Sequence, residues 1–152
     1  MKKVAILMGS QTDRTTMEAA LPYLDYFQVP YDIHVLSAHR NPEEVARFAA
    51  TARDEGYGIL IAGAGLAAHL AGALKAHTTL PVIGVPLPGG LMDGLDALLA
   101  TVQMPKGVPV ATVSVGRAGA INAAVLAAEI LALEDEALYE RLKEYKARGA
   151  QI

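Results

Sequence analysis

The chain has 152 residues, of which 53% are hydrophobic and 19% charged, with a formal net charge of −3 and no cysteine. This length predicts a single domain, residues 1–152, with a sizeable core. The absence of cysteine excludes disulfides and thiol catalysis, and the lack of a basic stripe argues against nucleic-acid binding. The apolar run that begins at Val4 is too short for a secretory signal or a membrane span, so we expect a cytoplasmic protein without a membrane partner.

Short apolar runs alternate along the chain with stretches of helical periodicity. The runs predict five buried β-strands, at 4–8, 31–36, 58–62, 82–85 and 110–115. The periodic stretches predict helices at about 12–27, 43–55, 67–75, 93–102, 120–133 and 135–148. Because each strand is followed by a helix, the pattern predicts an α/β fold of three layers, with a five-stranded parallel sheet and helices on both faces.

Three details of the helices carry further predictions. Pro22 should bend or weaken the first helix, because it cannot donate a backbone hydrogen bond. Asn41 resembles an N-cap, with Pro42 at the first helical position. The helix at 120–133 is apolar on nearly every side, which favours burial against a second copy of the chain as well as its own core.

The loop after the second predicted strand combines Ser37, His39 and Arg40. Open α/β sheets bind ligands at the carboxyl ends of their strands. Histidine can transfer a proton near neutral pH, and arginine can donate two hydrogen bonds to a phosphate or carboxylate. Taken alone, a histidine or a surface arginine more often has no chemical role, so the loop becomes informative only in combination with others.

Two further loops reach the same predicted edge of the sheet. Ser10, Thr12 and Asp13 follow the first strand, and Gly65 and His69 follow the third. Small residues let backbone N–H groups approach an anion, and an acid beside them suggests neighbouring hydroxyl groups, so a sugar phosphate fits the pattern. The simpler interpretation of each glycine, a tight turn between strand and helix, stays open. The spacing of the histidines predicts no metal site, and His34 and His77 are expected to be structural.

Six segments in chain order carry a resemblance to a known family: Met8–Asp13, Ser37–Pro42, Ala62–Leu70, Pro81–Pro86, Val102–Pro105 and Gly119–Ala124. Together they resemble the N5-carboxyaminoimidazole ribonucleotide mutase family of purine biosynthesis, also called the catalytic subunit of phosphoribosylaminoimidazole carboxylase. The resemblance covers about residues 3–145. It implies a flavodoxin-like fold, a homo-octamer with sites at subunit contacts, and no metal, ATP or organic cofactor. The helix at 135–148 is expected to be available for packing on a neighbouring subunit.

The resemblance also implies how a ribonucleotide substrate is bound. Ser10 and Arg40 would hold its ribose 5′-phosphate, with help from Thr12 and the Ser37 loop. Asp13 would accept hydrogen bonds from the ribose hydroxyls.

The reaction implied by the resemblance moves a carboxylate from the exocyclic nitrogen of the substrate to C4 of its imidazole. His39 would be the general acid and base, and His69 would lie close to the imidazole in the loop that also contributes Gly65. The resemblance implies that CO2 is released into a closed pocket and recaptured on carbon.

Several positions depart from the family pattern. Thr12 replaces a usual serine, Arg14 a usual tryptophan, and Ala71 a usual proline, while Leu66 stands where a smaller residue is common and the loop 87–93 differs from the usual one. These departures affect the expected shape of the pocket and not the expected reaction class.

Two alternatives remain. A sister enzyme type carboxylates aminoimidazole ribonucleotide directly with CO2 and usually has lysine after the histidine of the second loop, so Arg40 favours the mutase. A non-catalytic flavodoxin-like module would bind a nucleotide without turnover, and the adjacent His39 and Arg40 argue against it.

Overall fold

The computed structural model describes residues 1–152 and contains one sheet of five parallel strands. The strands are β1 (Lys3–Met8), β2 (Tyr31–Val35), β3 (Tyr57–Ala64), β4 (Val82–Pro86) and β5 (Ala111–Thr112). Their order across the sheet is β2-β1-β3-β4-β5. The chain therefore moves outward from β1 to β2 and then returns past β1 to β3, so the strand order reverses at this point. The predicted parallel α/β sheet is confirmed.

Helices cover both faces of this sheet, as predicted. They are α1 (Arg14–Met17), α2 (Leu21–Phe27), α3 (Pro42–Thr51), α4 (Leu70–Lys75), α5 (Leu95–Val102), α6 (Arg117–Leu131) and α7 (Glu136–Ala147). Short 3-10 segments lie at Gln11–Asp13, Glu18–Ala20, Leu91–Asp93 and Ala132–Glu134. The first predicted helix is divided as Pro22 indicated, since Pro22 lies in the first turn of α2, where its missing N–H has no cost.

Alternation along the strands creates a separate core on each face. Val4, Ile6 and Met8 point into a cluster of 22 buried residues that includes side chains from α1, α2, α6 and α7. Ala5 and Leu7 point into a cluster of 14 buried residues on the face covered by α3 and α4. The central strand β1 is thus buried on both sides, which explains why it is a continuous apolar run.

Several element boundaries differ from the sequence-based predictions. β5 is limited to two residues, because it is an edge strand that begins after Pro109 and pairs only with Ile83 and Gly84. β3 extends to Ala64, and α4 begins at Leu70 and not near Ala67. The segment between them is a turn, which places it at the carboxyl edge of the sheet.

The apolar helix α6 is covered largely by its own chain. Its small residues Ala120, Ala123, Ala124, Ala127 and Ala128 are fully buried, and its larger apolar side chains pack into the same core. Small residues bring α6 close to the sheet. The helix therefore buries most of its apolar surface within its own chain, and it needs less contact with a second copy of the chain than the sequence suggested.

The last helix also uses its apolar face within the chain. Leu138, Leu142 and Tyr145 of α7 are buried in the same core as α6. Any contact between α7 and a neighbouring subunit would therefore use the polar face of the helix.

The large apolar side chains that remain exposed are concentrated around α5: Leu91, Met92, Leu95, Leu99 and Val102. None of the helices has both the length and the apolar character needed to cross a membrane.

Candidate active site

A cavity of about 440 Å³ lies at the carboxyl edge of the sheet, where the strand order reverses. Ligands of open α/β sheets bind at this kind of position. The loops after β1, β2, β3 and β4 form its walls. All eight residues that the sequence singled out line it: Ser10, Thr12, Asp13, Ser37, His39, Arg40, Gly65 and His69.

The loop after β1 presents two hydroxyl groups and one carboxylate. The hydroxyl oxygens of Ser10 and Thr12 lie 2.9 Å apart, and the Thr12 backbone N–H donates to Ser10 Oγ at 3.2 Å. The partly buried Asp13 carboxyl follows, and burial raises its pKa above the ordinary value. A hydroxyl pair suits an anion, and a poorly solvated carboxylate gains from accepting hydrogen bonds from a ligand's hydroxyls.

The loop after β2 is held by its own hydrogen bonds. Asn41 occupies the N-cap position of α3, as predicted, but its side chain makes no capping hydrogen bond. Its Oδ1 instead accepts from the Ser37 backbone N–H at 3.2 Å, because the Asn41 backbone lies at φ −127° and ψ 51°, outside the usual capping conformation. Ser37 Oγ in turn accepts from the Arg40 backbone N–H at 3.2 Å. These bonds fix the loop, while the exposed Arg40 forms no ion pair within the chain.

His39 and His69 meet across the cavity, although 30 positions separate them in sequence. His39 Nε2 and His69 Nδ1 form a hydrogen bond, with ring centroids 4.6 Å apart and ring planes at 81°. Such a bond requires one protonated and one unprotonated nitrogen. The pair therefore keeps a proton donor and a proton acceptor side by side in the cavity.

The loop after β3 contains two non-glycine residues in the left-handed region. Leu66 has φ +54° and Ala68 has φ +41°, and the Ala68 backbone N–H donates to Gly65 O at 2.9 Å. This tight turn explains the late start of α4. It also carries His69 to the cavity.

Sequence reasoning missed the fourth wall of the cavity, which Pro88 and Gly89 supply after β4. A Cβ added to Gly65 would lie 3.6 Å from Leu87 O, so the third and fourth loops are in near contact. The signal that could have identified this wall was the position of the Pro-Gly pair, directly after a strand that neighbours β3. Leu66, noted only as a departure from the family, also lines the cavity.

Other glycine, arginine and histidine residues lie outside this cavity. Gly116 and Arg117, at the junction of β5 and α6, do not line it. His34 lies on the edge strand β2 within hydrogen-bonding distance of Tyr57 Oη, at 3.1 Å, and His77 is exposed after α4. No group of three or more His, Cys, Asp or Glu side chains is arranged to hold a metal ion.

Comparisons with known proteins agree with this geometry. The family model described as AIR carboxylase matches residues 3–151. The N5-carboxyaminoimidazole ribonucleotide mutase of Bacillus subtilis is 52% identical over 148 residues, which cover 97% of this chain and 91% of that protein. The mutase of Haemophilus influenzae is 49% identical over 144 residues, covering 95% and 88%.

A solved structure supports the same assignment. The crystal structure of Treponema denticola PurE superimposes with a TM-score of 0.84 and 30% sequence identity, covering 97% of this chain and 91% of that one. The match of the family model and of these relatives extends over nearly the whole chain, which therefore belongs to the AIR carboxylase family.

Proposed function

We propose that this chain is an N5-carboxyaminoimidazole ribonucleotide mutase of purine biosynthesis. The observation that carries the proposal is the convergence of the His39–His69 pair, the Arg40 guanidinium and the loop after β1 on one cavity. This set combines an anion-binding group with a proton donor and acceptor. A mutase needs both. Its substrate is a phosphorylated nucleotide, and in its reaction the exocyclic nitrogen gains a proton while C4 of the imidazole loses one.

Substrate binding in this proposal follows the chemistry of the loops. Arg40 has no carboxylate partner in the chain, so it is available to a phosphate, and Ser10 and Thr12 add hydroxyl donors. Ser37 positions the Arg40 backbone. Asp13 would accept hydrogen bonds from the ribose hydroxyls.

The proton transfers fall to the two histidines. The carbamate C–N bond breaks as the exocyclic nitrogen takes a proton from His39, which releases CO2 and the free amine. C4 of the imidazole then attacks CO2, and the C4 proton returns to His39, so the reaction is an isomerisation without net gain or loss of protons or electrons. His69, bonded to His39, holds the ring in orientation and can share the proton.

The direct carboxylase is the second candidate, because the family description itself names AIR carboxylase. The names of the relatives favour the mutase: proteins 46–52% identical to this chain are called N5-carboxyaminoimidazole ribonucleotide mutases. Arg40, in place of the lysine usual in the carboxylase type, supports the same choice.

A homo-octamer in the cytoplasm completes the proposal. The number of subunits follows from the family resemblance, and the exposed apolar surface around α5 supports association of copies: Leu91 and Met92 are 76% and 82% exposed, and Leu95, Leu99 and Val102 follow at helical spacing. Surfaces of this kind on a single chain commonly mark contacts with another protein. A mass measurement by light scattering tests the assembly, and a monomer at micromolar concentration would contradict it.

A label-transfer experiment tests the reaction. The carboxyamino substrate is supplied with a labelled carboxyl carbon in buffer that contains unlabelled bicarbonate. A mutase should pass most of the label to C4, since a positioned site gives released CO2 a high effective concentration. Product that carries mainly bicarbonate carbon, or efficient turnover of aminoimidazole ribonucleotide at modest bicarbonate, would assign the chain to the carboxylase type.

A further inference from the structure

Leu66 is the one large exposed apolar side chain that lines the cavity. It is 62% exposed and lies in the turn between β3 and α4. The side chain therefore borders the space that holds the candidate proton-transfer pair, and it carries no hydrogen-bonding group of its own.

The backbone at Leu66 is in a conformation that leucine adopts at a cost. Its φ is +54°, in the left-handed region where glycine, asparagine and aspartate are usual. Ala68 shares this strain in the same turn, but it is only 3% exposed, so surrounding contacts hold it in place. Leu66 gains little packing within the chain. A strained and exposed residue at a cavity is evidence for a role in what the cavity binds.

We propose that Leu66 is a positioning residue that closes the cavity over the substrate's imidazole and retains CO2 during its transfer. This inference rests on the proposed mutase function. Pro88 and Gly89, neither of which has a polar side-chain atom, line the same cavity. CO2 is an uncharged molecule. An apolar side chain over the cavity excludes water and so limits the exchange of CO2 with solvent, and it offers no hydrogen bond that would compete for CO2.

Leu66 takes no part in the bond changes. The carbamate C–N bond breaks with proton transfer to nitrogen, and the new C–C bond at C4 forms with loss of the C4 proton. Between these steps CO2 either reacts with C4 or escapes. The proposal assigns to Leu66 an effect on this ratio, which a residue needed only for folding would not alter.

Three variants separate apolar cover from backbone geometry. Leu66→Gly relieves the left-handed conformation and removes the cover. Leu66→Asn tolerates the same conformation with a side chain of similar size but polar character. Leu66→Met keeps an apolar side chain of similar volume. Each is assayed with carboxyl-labelled carboxyamino substrate, and both the label retained in the product and the aminoimidazole ribonucleotide released per turnover are measured.

We expect the Gly and Asn variants to release roughly three- to tenfold more aminoimidazole ribonucleotide per turnover, the range expected when part of one apolar contact is lost. The Met variant should resemble the unsubstituted chain. The melting temperature of the Gly variant should not fall, because the substitution relieves a strained φ. Increased leakage in a fully folded Gly variant would support the proposal.

Two results would overturn the role of Leu66 and leave the mutase in place. One is label retention in the Gly and Asn variants equal to that of the unsubstituted chain. The other is a loss of oligomeric mass in these variants by light scattering, which would show that a second copy of the chain covers Leu66. Failure of the unsubstituted chain to convert the carboxyamino substrate would instead refute the proposed function itself.

Discussion

Two polar regions flank strand β2, and they differ in how their groups are satisfied. The first, which we call the β2-edge cluster, consists of Lys3, Asp32, His34 and Tyr57. Asp32 Oδ2 accepts from Lys3 Nζ and from Tyr57 Oη, each at 2.7 Å, and Tyr57 Oη lies 3.1 Å from His34 Nε2. The Lys3 ammonium also lies 4.2 Å from the centre of the Tyr57 ring. Every member of this cluster has a partner within the chain.

The second region is the cavity at the carboxyl edge. Its Arg40 has no ion pair, Asp13 has a pKa raised by burial, and Leu66 is strained and exposed. A polar cluster whose groups satisfy one another stabilises the fold, whereas groups left without partners at a cavity are available to a ligand. His34 and His39, five positions apart, illustrate the contrast. His34 contacts the Tyr57 hydroxyl group and the Phe48 ring. Burial lowers the pKa of His34, which favours a neutral, structural side chain.

Replacing His39 and His34 in separate variants should give the largest difference in turnover. We expect His39→Asn to retain the fold and lower turnover by on the order of 10²–10⁴, the usual contribution of a general acid or base. His34→Asn is the matched control and should leave turnover within a few-fold of the unsubstituted chain. Steady-state assays with circular dichroism as a folding check measure both. A His39 variant as active as the His34 variant would remove the distinction between the two regions.

The unpaired arginine should show the next largest effect. Arg40→Ala is expected to weaken ribonucleotide binding about tenfold or more, because a charged hydrogen bond to phosphate contributes roughly 1.5–3 kcal/mol. Arg47→Ala, an exposed position on α3 outside the cavity, provides the control. Titration calorimetry should show that the loss disappears for an analogue without the phosphate. Equal losses for both ligands would show that Arg40 is not the phosphate group's partner.

The contributions of Asp13 and Asp32 to folding stability should depend on pH in opposite directions. Burial raises the pKa of the Asp13 carboxyl above its ordinary value of 3.8. The stability that this group contributes to the fold is therefore present at pH values below 3.8 and is lost as the pH rises through the folded-state pKa. At neutral pH the ionised form therefore opposes folding. Asp13→Asn should leave the melting temperature unchanged or slightly higher while weakening substrate binding by about tenfold, the value of a charged hydrogen bond. A clear fall in melting temperature would mean that Asp13 is a structural residue.

Asp32 should show the smallest effect, and of opposite sign. Its hydrogen bonds with Lys3 and Tyr57 lower its pKa, so its stabilisation is present above 3.8 and lost as the pH falls toward the lower folded-state value. Because both partners of the ion pair are more than a third exposed, we expect Asp32→Asn to cost only about 0.2–1 kcal/mol of unfolding free energy. Chemical denaturation at neutral pH measures this, and unchanged turnover is the expected companion result.

Much of the fold was predictable because its signals are local. The apolar run of β1 identified a buried strand, and Pro22 identified the break between helical segments. Asp135 caps α7 by accepting from the Leu138 backbone N–H at 2.9 Å, close to where the sequence placed the start of that helix. Such features depend on periodicity and turn chemistry over a few neighbouring residues. Asn41 lies at the predicted N-cap of α3, although its side chain bonds the Ser37 backbone N–H and not the first turn of the helix.

The sequence by itself determined the α/β class, the edge of the sheet where the cavity lies, and eight of the sixteen residues that line it. Only the tertiary structure decided which of these residues meet. His39 follows β2 and His69 follows β3. Because the strand order is β2-β1-β3, only β1 separates these two strands, and their loops can meet over its carboxyl end. The strain at Leu66 likewise depends on how its turn is placed between β3 and α4. Local patterns specify elements, whereas contacts between residues far apart in sequence depend on the order in which those elements assemble.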